Sequence, residues 1–142
     1  MTEAEALAAA VDVENQAIYG YGLAGAHFAA ADRARALVGL SAHRARRDRL
    51  VAMLVHLGAT PPVEAPAYTP PAPVTDTSSA RELCAALEDA CAGAAWDLVA
   101  ASNAGSPSRS LAVTWLSEAA VAASTWRGGP AATNPAMPGQ PA

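Results

Sequence analysis

The sequence predicts an all-α protein of four helices with one long connection in the middle. Three observations lead there. Period-2 alternation never lasts, and β-branched residues are thin, so strands are not expected. Four segments carry apolar residues at three- and four-residue spacing behind recognisable capping residues. Between the second and third of them lies a proline-rich stretch that cannot be helical.

The first helix begins near Thr2, where Thr2-Glu3-Ala4-Glu5 reads as a capping box, and runs to about Ala30. Its inward stripe is Leu7, Val11, Glu14, Ile18, Tyr21, Gly25 and Phe28. The second runs from about Arg33 to Leu57 and ends at Gly58, with Pro61-Pro62 beyond. Its stripe is Leu37, Leu40, His43 or Arg44, Arg47, Val51 and Leu54. The third starts at Ser79, with Ser79-Ala80-Arg81-Glu82 as a capping box, and continues to about Ala104. It places Leu83, Leu87, Ala90, Cys91, Ala94 and Leu98 inward. Ser106-Pro107 opens the fourth, which carries Leu111, Trp115, Glu118, Ala122 and Trp126 on one face and stops at Gly128-Gly129-Pro130.

Link lengths then give topology. Helices 1–2 and 3–4 are joined by very short links, so each pair is an antiparallel hairpin. The stretch 58–77 holds about 20 residues. Extended at about 3.1 Å per residue, it reaches roughly 60 Å, against roughly 36 Å for a helix of this length. It can run back along the whole bundle and start helix 3 parallel to helix 2. One long crossover between two hairpins is the ferritin-like arrangement. Residues 1–130 are thus expected to form a ferritin-like four-helix bundle, and 131–142 a poorly ordered Pro/Gly/Ala-rich tail.

Composition bounds function more than it names it. The chain has 142 residues, 39 of them alanine, and a net charge of −4. General nucleic-acid binding is disfavoured by that charge. No apolar run is long enough to span a bilayer, and the N-terminus lacks a basic signal-peptide region, so a cytoplasmic protein is expected. So many alanines let helix axes approach closely but leave few large side chains to bury. Trp96, Trp115 and Trp126 cannot all point into so narrow a core. A homodimer through an Ala/Gly-rich or Trp-bearing face is therefore expected, alongside a protein partner the sequence does not identify. Cys84 and Cys91 lie two helical turns apart, roughly 10 Å, beyond disulfide reach, and read as small core residues.

Few motifs carry chemistry. Gly20-Tyr21-Gly22-Leu23-Ala24-Gly25 matches a dinucleotide fingerprint literally, but it sits inside a helical pattern rather than between a strand and a helix. Its glycines read instead as close-approach positions. No Ser or Cys has a His and an acid placed to activate it, and no cofactor site is expected. Aligning the helices by their turns brings Glu14, Glu88 and Glu118 to one level with the basic run around Arg47. A di-iron bundle wants a Glu on each of two helices and Glu-x-x-His on each of the other two. Here helix 2 offers His43/Arg46 or Arg44/Arg47, Glu118 is followed by Val121, and Glu88 by Cys91. The expected result is a buried polar layer of Glu14, His43, Arg44, Arg47, Glu88 and Glu118, in which Arg47 meets Glu14, Glu88 shares the guanidinium, and charge balances without metal. A metal site would have to draw on Glu14, Glu88 and Glu118.

Glu14-Asn15-Gln16-Ala17-Ile18-Tyr19-Gly20-Tyr21-Gly22, His43-Arg44-Ala45-Arg46-Arg47-Asp48 and Trp126-Arg127-Gly128-Gly129-Pro130, with the linker from Pro61-Pro62 to Val74 and its Tyr68, resemble an actinobacterial ferritin-like domain family of unknown function. The resemblance covers about residues 5–139, and the absence of lysine fits the high-GC genome it implies. One departure is Asn15, where members often carry His. The resemblance implies a fold and no reaction. The functional expectation is a non-catalytic scaffold or interaction domain. The alternative is a degenerate metal-binding or oxidase-like protein.

Overall fold

A computed structural model describes residues 1–129; the tail expected over 131–142 lies outside the described residues. Among the described residues there are four helices and no strand: α1 (Glu3–Gly25), α2 (Ala30–His56), α3 (Thr77–Ala101) and α4 (Pro107–Trp126). None is long and apolar enough to cross a membrane.

Helix ends follow capping chemistry, with boundary corrections. Thr2 caps α1 through a reciprocal box with Glu5, as the sequence predicts. The helix stops at Gly25 rather than near Ala30, and Phe28 tucks into the core from the turn that follows. The third helix starts earlier than expected because Ser79 is not its cap. Asp76 is, with its carboxylate accepting from the Ser79 amide at 2.8 Å while the Ser79 hydroxyl serves the Asp76 amide at 3.0 Å. Ser79 is thus the N3 member of a box that begins three residues upstream. Ser106 caps α4 with Pro107 in its first turn. The Arg109 guanidinium donates to the carbonyls of Val99 and Ser102, satisfying the exposed end of α3.

Helix direction is marked by contacts at the two ends. At one end the Thr77 hydroxyl donates to the His27 carbonyl, Arg81 meets Asp32, and Trp126 stacks on Phe28 at 5.2 Å. At the other end the Ser108 hydroxyl meets Glu3. The close helix pairs are α1 with α2, α1 with α3, and α3 with α4. The α2–α4 side is looser and is spanned by side chains.

The core falls into two apolar clusters. The larger centres on Leu7, Val11, Leu50, Leu54, Leu98 and Trp115. The smaller gathers Tyr21, Phe28, Ala36, Leu83 and Trp126. Trp115 and Trp126 are buried while Trp96 is 39% exposed, so the core takes two of the three tryptophans. Leu37, expected inside, is exposed, and so is Val38.

Close approach is needed at fewer glycines than the sequence suggests. A Cβ on Gly20 would meet the Leu87 side chain, whereas Gly22 and Gly25 have open space. The tightest requirement outside that motif is at Gly39 on α2, where a Cβ would stand 2.5 Å from the Tyr21 ring. That ring is held at its hydroxyl on both sides and cannot retreat cheaply. Gly39→Ala should therefore destabilise the fold by about 1–2 kcal/mol, even though alanine favours a helix by about 1 kcal/mol. Gly20→Ala, which presses only on the flexible end of Leu87, should fall closer to neutral. Urea unfolding of the two variants checks this; equal midpoints would count against it.

Candidate functional site

From the smaller cluster toward the larger runs a continuous chain of polar side chains drawn from all four helices. The Trp126 indole donates to the Tyr21 hydroxyl at 2.9 Å, and Tyr21 donates to Glu88 Oε1 at 2.5 Å. His43 bridges the two buried carboxylates: Nε2 lies 3.1 Å from Glu88 Oε1 and Nδ1 lies 2.7 Å from Glu14 Oε2. Arg46 donates from Nη1 to Glu14 Oε1 at 2.8 Å and from Nη2 to Glu118 Oε2 at 3.0 Å. Its guanidinium also lies over the Trp115 ring, 5.4 Å from the centroid.

Burial sets the electrostatics. Glu14 is fully buried, and His43 and Glu88 nearly so. Burial by itself pushes the His43 pKa down, but its hydrogen bonds to Glu14 and Glu88 outweigh that and lift it to about 9. The ring is therefore an imidazolium at neutral pH, donating from both nitrogens. Burial likewise opposes the charge on Arg46, and Glu14 more than restores it. Burial and the neighbouring Glu88 carboxylate drive the Tyr21 hydroxyl far above its ordinary range, so it keeps its proton, donating to Glu88 while its oxygen accepts from Trp126. Two acidic side chains, Glu14 and Glu88, thus face two basic ones, His43 and Arg46.

The layer expected from sequence is partly the wrong set. Glu14, His43 and Glu88 are brought together. Arg47 is not among them: it reaches away to Asp48 and Glu64, and the Glu14 contact belongs to Arg46. Positions 46 and 47 lie on opposite flanks of the line through His43 and Leu50. The flank carrying 46 faces α4, and the other faces the linker. Arg44 is exposed, one step off that line. Glu118 touches the layer only through Arg46, with its side chain 59% exposed.

The sequence offered His43/Arg46 and Arg44/Arg47 as alternatives and pointed to Arg47, and it placed Tyr21 and Trp126 on inward faces without a polar role. A signal for Tyr21 was present, since a buried tyrosine hydroxyl must find a partner and Glu88 lies at its level. Cys91, expected as plain core, is buried beside the layer. One ligand atom each from Glu14, His43 and Cys91 lie within 4.8 Å of one another. Burial raises the Cys91 thiol well above its ordinary pKa. Cys84 is likewise pushed up to about 12, so neither cysteine is an activated nucleophile. Asn15 is buried next to Glu14, and its side-chain oxygen has no protein partner.

Two outcomes test this geometry. Arg46→Ala strands one face of a fully buried carboxylate and should cost about 3 kcal/mol in urea unfolding, whereas Arg47→Ala should stay within about 0.5 kcal/mol. Equal costs would count against the Arg46 contact, and a larger cost at Arg47 would return it to Arg47. The second concerns pH. His43 binds its proton more tightly folded, near 9, than unfolded, near 6.5, so its contribution is complete below about pH 6.5 and lost as pH rises through 9. Thermal unfolding should show a melting temperature that falls between pH 6.5 and 9.5, with a flatter profile in His43→Gln.

The comparisons with known proteins agree with the helical architecture and assign no activity. A crystal structure of a conserved hypothetical protein, rv2844, from Mycobacterium tuberculosis matches with a TM-score of 0.82 and 34% identity, covering 87% of this chain and 93% of that one. No curated protein matches. The family profile described as Domain of unknown function (DUF4439) matches residues 6–142, nearly the whole sequence. The chain belongs to that family.

Proposed function

We propose that this chain is a non-catalytic, ferritin-like helical module that acts as a scaffold or interaction domain, with the proline-rich stretch between α2 and α3 as the crossover of that topology. The observation that carries this reading is His43 seated between Glu14 and Glu88. An imidazolium donates to both carboxylates where a bridging metal would otherwise draw them together, and Arg46 takes the remaining oxygen of Glu14. The oxygens a two-metal centre would use are already engaged, and the charge is already balanced. The third carboxylate, Glu118, faces solvent and Arg46 rather than the layer's interior. Such a layer orders four helices around one register, which is what a binding module needs of its core.

Interaction is then the work of the surface. Leu37, Val38, Val113 and Val121 are large, apolar and exposed on α2 and α4. A second copy of the chain is the partner this reading favours, in a cytoplasmic setting. The oxidase-like alternative requires two metal ions on Glu14, Glu88 and Glu118, which would have to expel both His43 and Arg46.

Metal analysis of protein purified without chelator tests the choice. The expected outcome is no stoichiometric iron or manganese. Two equivalents of either, together with oxygen consumption on reduction, would overturn the non-catalytic reading.

A further inference from the structure

We propose that Glu14, His43 and Cys91 form a site for one borderline divalent cation of the zinc class. It goes beyond the scaffold reading and does not rest on it, since a lone four-coordinate ion is not the two-metal centre that the scaffold reading excludes.

The donor set points to the class of ion. A carboxylate oxygen, an imidazole nitrogen and a thiolate sulfur are the mixed donors that zinc accepts, whereas magnesium and calcium want oxygen alone. The three ligand atoms come from α1, α2 and α3 and lie within 4.8 Å of one another. A tetrahedral zinc ion needs its donors about 3.5 Å apart, so the cluster has to close by about 1 Å, while the 2.7 Å contact between Glu14 and His43 Nδ1 opens slightly. Three protein ligands leave the fourth position to water.

The surroundings are already arranged for it. Glu88 lies 3.1 Å from His43 Nε2, so that nitrogen keeps its proton and Nδ1, beside Glu14, becomes the ligating atom. A carboxylate that holds a ligating histidine by its far nitrogen is the usual support of such a site. Glu88 is here a positioning residue, itself held by Tyr21. A cleft of about 370 Å³ between α2 and α4 is lined by His43, Glu88, Arg46 and Glu118, so the route it opens reaches His43, whereas Glu14 and Cys91 are not among its lining residues. Arg46 spans that route, tied to Glu14 inside and Glu118 outside.

Binding requires the ligating nitrogen and sulfur to be deprotonated.

Cobalt(II) added to the full folded chain near pH 7.5 is the test, because a thiolate ligand gives a charge-transfer band in the near ultraviolet and tetrahedral geometry gives intense visible bands. The expected result is one cobalt per chain with both signals, displaced by zinc. Cys91→Ala should abolish the thiolate band and Cys84→Ala should keep it. Glu88→Leu should weaken affinity by about 10–100-fold without removing the band. Absence of a thiolate band in the unsubstituted protein overturns the proposal, and so does loss of the band in Cys84→Ala with retention in Cys91→Ala. An iron or manganese pair found in the protein as purified would instead overturn the scaffold reading, so the two failures are separable.

Discussion

A fully buried carboxylate at Glu14 is the constraint around which the rest of the structure is arranged. Burying that charge alone would cost many kcal/mol, so its partners must be present, charged and correctly placed in every folded molecule. His43 and Arg46 supply two donors to its two oxygens, and His43 passes the demand on to Glu88. Glu88 is in turn satisfied by Tyr21, and Tyr21 by Trp126. One charge on α1 thereby specifies side chains on α2, α3 and α4.

That chain of demands explains features that apolar packing alone does not. Gly39 lacks a side chain because the Tyr21 ring needs the space beside α2. Trp126 sits in the last turn of α4, where it can stack on Phe28 and still reach the Tyr21 hydroxyl. Alanine dominates the neighbouring positions, including Ala17, Ala92, Ala95 and Ala119, which lets the axes come close enough for short side chains to meet across the layer. In a core with so few large apolar groups, the polar layer also supplies much of the register. A helix slipped by one turn would leave a buried charge unpaired.

The looseness between α2 and α4 has the same origin. Three helix pairs pack closely, while this fourth side is held by a guanidinium reaching from Glu14 to Glu118 over the face of Trp115. A long cation spanning a cleft closes it without filling it. The polar layer is therefore internal to the protein yet adjoins an opening.

Helix number, the caps at Thr2 and Ser106 and the burial of Glu14 were legible in the sequence alone, whereas the choice between His43 and Arg44 on the inward line of α2 was not. The legible features depend on local spacing and on the cost of burying charge, and both are visible in one dimension. The start of α3 was legible in principle, but Asp76 and Ser79 can each cap a helix, and only the hydrogen bonds between them decide which one does. Tertiary structure alone decided between Arg46 and Arg47. Adjacent residues on a helix point about 100° apart, so both flank the same apolar line, and the periodicity of α2 treats them nearly alike. The difference arises from the neighbour: α4 lies against one flank and the linker against the other. The meeting of Cys91 with Glu14 and His43 was hidden for the same reason, since it depends on how three separate helices are turned about their axes.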